Sequence, residues 1–174
     1  MVRNIFGLAR AAILGIIVAL ILTCMFQPSR IQGTSMEPAV MNNNLVLLNK
    51  ASYWMAPPSY GDVVVFKSNI FTDNSEGKML VKRVIGIQND EIEIIEGKVY
   101  RNGRAVREDY ATGLNPQENM EKIKIAAGKV FVLGDHRDVS LDSRDQSIGQ
   151  VRISDIIGKV SVRIYPFSEI VFVM

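Results

Sequence analysis

The chain opens on an apolar run, residues 11–26, that no charged residue interrupts. With no polar face, such a run as a helix cannot lie half in water and half on a core. It is slightly short for a bilayer. Counted from Ile5, with Arg10 reaching toward the headgroups, it is long enough. Arg3 and Arg10 precede it and Gln27-Pro28-Ser29-Arg30 closes it, which favours a cytoplasmic N-terminus and an external remainder. A cleavable leader has the same layout, but no small-x-small site follows Phe26, so an uncleaved anchor is the preferred reading. The expected division is residues 1–27 as cytoplasmic N-terminus and transmembrane anchor, and 28–174 as one extracytoplasmic domain.

Beyond Pro28 the pattern turns from helical to β. Leu45-Val46-Leu47-Leu48, Val63-Val64-Val65-Phe66, a run from Leu80 to Ile87, Ile92 to Ile95, Val130 to Leu133 and Ile156 to Val162 all read as strands. Asn102-Gly103 is a hairpin signal, and the polar stretch 108–122 reads as a long mobile connection. The stretch from Ile70 to Lys78 reads as a loop. Tyr53, Trp54 and Met55 lie in a loop where they either touch a bilayer surface or pack normally. The soluble part is therefore mostly β. A net charge of +2 with no basic run argues against nucleic acid. One cysteine, Cys24, and one histidine, His136, leave no disulfide framework and nearly exclude the usual zinc sites.

Ser35 lies between Gly33 and Pro38, where the backbone turns or extends and the hydroxyl is presented. Alone, this is an ordinary loop serine. A serine becomes a nucleophile only when a base takes its proton. His136 with Asp135 or Asp138 is a weak candidate, because neighbours in one turn do not aim at one another as a triad requires. Lys82 is the other candidate, since burial among Leu80, Val81, Val84 and Ile85 would favour its neutral amine. Against that stands an exposed Lys82-Arg83 pair guarding an edge strand. Alternation sends the two to opposite faces, so at least one points to the core side.

Four blocks in order resemble the type I signal peptidases, membrane-anchored serine proteases with a Ser/Lys dyad. They are Gly33-Thr34-Ser35-Met36-Glu37-Pro38, Gly61-Asp62-Val63-Val64-Val65-Phe66, Val81-Lys82-Arg83-Val84-Ile85-Gly86 and the long block Gly134-Asp135-His136-Arg137-Asp138-Val139-Ser140-Leu141-Asp142-Ser143-Arg144. The resemblance implies a signal-peptidase-like β-sheet catalytic domain of the compact Gram-positive form. It implies Ser35 as acylating nucleophile, Lys82 as general base, Ser140 as the hydroxyl that orients the lysine, and Asp142 as a brace paired with Arg144 or Arg83. Ile31, Met36, Val40, Leu80 and Val81 would line the pocket for the small residue before the cut. The implied substrates are secretory preproteins, met at the membrane lipid surface, with no metal or cofactor; the oligomeric state is left open.

Three positions depart from the family pattern. Gly33 stands where some members carry a second serine, His136 where Asn is usual, and Asn89 where Gly is usual; Asn tolerates the same left-handed turn. Two rivals remain. A self-cleaving Ser/Lys repressor-type peptidase would lack the anchor. An inactive anchored β-domain that only binds peptides would usually have lost Ser35 or Lys82.

Overall fold

The computed structural model describes residues 2–71, 77–167 and 170–173, with the backbone alone for residues 2–9 and 71. Helix α1, Val2–Met25, runs straight into strand β1, Phe26–Arg30. Pro28 is tolerated there because β1 is an edge strand, paired only with β2, Leu45–Asn49, among the described residues. The remaining strands are β3 (Val63–Phe71), β4 (Gly77–Gly86), β5 (Glu91–Ile95), β6 (Lys98–Arg101), β7 (Arg104–Ala105), β8 (Met120–Lys124), β9 (Lys129–Leu133), β10 (Val151–Arg152), β11 (Ile156–Tyr165) and β12 (Val171–Phe172).

Among the described residues the large sheet has the order β1-β2-β11-β3-β4-β9-β10, with β12 on β11, and a smaller sheet runs β7-β6-β5-β8. Consecutive residues of β3 point to opposite faces, and both faces are covered. Val63 and Val65 join one buried cluster with Val46, Leu48 and Val160; Val64 and Phe66 join another with Val84, Val130 and Val132. This explains why the central strands read as continuous apolar runs. A third cluster, with Ile85, Phe131 and Leu133 against Ile92, Ile94 and Val99, seats the small sheet on the end of the large one.

The mostly β expectation is met, and Asn102 and Gly103 both take the positive φ of a tight hairpin. Asn89 has φ 72°, as a left-handed turn needs. The reading of Lys82 and Arg83 as an exposed edge-strand pair is overturned: both side chains are buried, and β4 pairs with β3 on one side and, from Arg83 onward, with β9 on the other. Part of the loop expected from Ile70 to Lys78 is strand, and residues 72–76 of it lie outside the described residues.

The expected membrane span is not found among the described residues. Among the described residues no helix is long and apolar enough to cross a membrane. Residues 10–25, whose side chains are described, fall short of the roughly 20 apolar residues that a bilayer requires. The side chains of residues 1–9 lie outside the described set.

Candidate active site

The loop after β1 is drawn closed at its neck, where Ile31 donates to Asn44 O and Asn43 donates to Ile31 O, each at 2.9 Å. Inside it Gly33 takes φ +104°, which glycine alone adopts cheaply, and gives its N–H to Asn42 Oδ1 at 3.0 Å. Met36 and Val40 sink into the core beneath and are joined by a Val40 N–H to Met36 O bond of 2.9 Å. The turn is thereby fixed, with Ser35 beside its anchor Met36.

Lys82 reaches that serine from β4. Its Nζ lies 2.6 Å from Ser35 Oγ, and the residue is only 2% exposed. Burial pushes its pKa down from 10.5 to about 8, opposed chiefly by the nearby carboxylate of Asp142. A substantial neutral fraction near physiological pH follows.

The last block wraps this pair. The Ser35 carbonyl accepts from His136 N–H at 3.1 Å. Asp142, fully buried, accepts from Gly134 N–H at 3.0 Å and from Arg144 through Nε at 2.8 Å and Nη2 at 2.9 Å. Of the two partners the sequence left open for Asp142, the structure has Arg144. Arg83 instead forks onto Asp135, at 2.9 and 2.7 Å, and lies 4.2 Å above the Tyr110 ring. Ser140 differs from expectation: its buried hydroxyl makes no hydrogen bond among the described residues, to Lys82 or any other group.

Ile31, Met36, Leu80 and Val81 line an open groove of about 670 Å³ that runs to Ser35 and Lys82. Val40 does not line it and belongs to the core below. The polar connection, expected to be mobile, is tied to the last block by side chains. Glu108 takes both Nη atoms of Arg137 at 3.0 and 2.6 Å, and Glu118 takes Arg144 Nη1 at 3.0 Å. These two acids were the residues that sequence reading missed. The available signal was the three arginines of β4 and the last block, which on burial need more carboxylates than Asp135 and Asp142 supply.

A mostly β chain that sets a serine hydroxyl against a buried amine has the makeup of a serine peptidase. The model of the family "Signal peptidase, peptidase S26" matches residues 5–165. Signal peptidase I U of Bacillus subtilis (strain 168) is 34% identical over 165 residues, 88% of this chain and 84% of that protein. Signal peptidase I of Bacillus caldolyticus is 35% identical over 169 residues, 90% of this chain and 88% of the other. Signal peptidase IB of Staphylococcus aureus (strain COL) is 36% identical over 159 residues, 82% and 79% of the two chains. The chain belongs to the signal peptidase family, peptidase S26, and is a hydrolase of the type I signal peptidase kind.

Proposed function

We propose that this chain is a membrane-attached endopeptidase that removes signal peptides from secretory preproteins after small-x-small sites, with Ser35 as nucleophile and Lys82 as general base. The observation that carries this reading is the 2.6 Å approach of a buried lysine amine to a presented serine hydroxyl. Neutral Lys82 takes the Ser35 proton as Oγ attacks the scissile carbonyl. The Ser35 N–H donates to the oxyanion, and the new ammonium protonates the leaving amine. Water then enters, loses a proton to Lys82 and hydrolyses the acyl-enzyme. Asp142 holds the Gly134 turn and, through its charge, favours the ammonium in passing. Ser140, whose buried hydroxyl has no hydrogen-bond partner among the described residues, is proposed as the acceptor that orients that ammonium once it forms.

Substrate recognition follows from an open edge. Strand β9 pairs with β4 only from Arg83 onward, so among the described residues 79–82 have no strand on that side. An extended peptide adds there by strand pairing, with its small residues toward Ile31, Met36 and Val81. Residues 1–27 form the anchor and 28–174 the external catalytic domain. Supporting this, the large apolar side chains of α1 from Ile13 to Leu22 are exposed, and Trp54 (69%) and Met55 (99%) are exposed just past the turn of residues 50–53 that α1 meets.

The test is cleavage of a purified preprotein in detergent by the parent chain beside Ser35→Ala and Lys82→Ala. The parent is expected to cut after a small-x-small site, and each folded variant to lose at least about 1,000-fold in kcat/KM. Equal cutting by all three would sink the dyad; no cutting by a folded parent would favour a domain that binds without cleaving.

A further inference from the structure

Two apolar side chains at the catalytic end of the groove belong to no pocket assigned above. Val139 and Leu141 line it together with Ser35 and Lys82, and they are 53% and 37% exposed. They flank Ser140, whose own hydroxyl is buried while they stay exposed. Their backbone is pinned, because Arg144 Nη2 holds the carbonyls of Arg137 at 2.6 Å and Ser140 at 3.4 Å. Exposed apolar area on a fixed backbone is repaid when a ligand covers it, and little ordering is then lost.

The sheet says which ligand segment passes there. A peptide beside residues 79–82 lies in the lane that β9 fills from Arg83 onward. It therefore meets Leu133 and the last block end-on at Lys82 and has to leave the sheet plane. We infer that Val139 and Leu141 form an apolar shelf under the first residue after the cut, selecting an uncharged apolar side chain on the mature protein. This rests on the proposed placement of the residues before the cut along β4.

The experiment uses the full chain in detergent and two preprotein-derived peptides that differ only in the first residue after the cut, Leu or Asp. The parent is expected to prefer Leu by about 10-fold in kcat/KM, mostly through KM. Val139→Ser with Leu141→Ser, and separately the volume-conserving Leu141→Gln, are expected to bring that ratio close to one. Their preference for Ala over Leu before the cut should stay as in the parent. Equal rates on both peptides by the parent overturn the shelf while leaving the peptidase reading intact. So do variants that slow both peptides in proportion, which marks a structural role, or that shift selectivity before the cut. A folded parent that cuts neither peptide overturns both readings.

Discussion

An ammonium group buried to the depth of Lys82 is held away from water, and the lowered pKa measures that penalty. For the reaction, only the neutral amine serves as base. The expected kcat/KM therefore rises with pH through about 8 and levels off above it. A flat profile from pH 6 to 10 (roughly the range that brackets such a shift) would remove Lys82 from that role. For stability the sign is opposite to that of a paired lysine. The unfolded chain binds the proton up to about 10.5, the folded one only to about 8, so stability rises between those values and the full penalty applies below them. Lys82→Met should therefore be inactive yet more stable than the parent at pH 7, on the order of 2 kcal/mol, with the gap closing toward pH 10. Chemical denaturation at both pH values checks this; a variant less stable than the parent at pH 7 would contradict it. That Lys82 could be buried was legible in its apolar neighbours. That Arg83 is buried as well was not, because alternation says nothing about whether a strand has one face covered or two.

Elements meet closely where β9 ends. A Cβ added to Gly134 would fall 2.6 Å from the Ser35 carbonyl oxygen and 2.5 Å from Ser140 Cβ. Backbone cannot yield cheaply there, since Asp142 holds Gly134 N–H and His136 holds the Ser35 carbonyl. Gly134→Ala is expected to cost roughly 1–3 kcal/mol of stability and, by displacing the nucleophile's turn, about 100-fold in kcat. Thermal melts and single-turnover assays separate the two effects; parental activity would mean that the turn tolerates the shift. At this scale the strands were legible because apolar runs bounded by Gly and Asn turns give them away. The polar stretch 108–122 was not, and its last residues, from Met120 on, belong to β8. Its polar composition reads as loop, and its order comes from Glu108 and Glu118 bonding arginines about 30 residues away in the chain, a partnership that no local window contains. The pairing of Asp142 with Arg144 in place of Arg83 was likewise a matter of tertiary choice: Arg83 is taken by Asp135 across the β4–β9 ladder.

The molecule as a whole is lopsided. One sheet-built body has three apolar clusters of its own, and a helix exposing apolar side chains all round projects from the edge strand β1. Exposed Ile13, Leu14, Ile17 and Leu20 would each cost about 1.5–3 kcal/mol relative to burial, which no packing against β1 or the following turn offsets. A lipid environment relieves that cost; water does not. If α1 is the anchor, the full chain should sediment with membranes and resist alkaline extraction. Leu14→Arg with Ile17→Arg should then release it, since each arginine at the centre of a span costs about 2.5–3.5 kcal/mol on insertion. The same double variant, assayed in detergent on a short peptide, should retain parental kcat, because both positions lie on α1, away from Ser35 and Lys82 in the sheet-built body. Membrane retention of the double variant would instead assign attachment to the sheet-built body, with Trp54 and Met55 as the first side chains to replace. Loss of activity in detergent would tie the helix to the fold of the catalytic domain, and the division at residue 27 would fail.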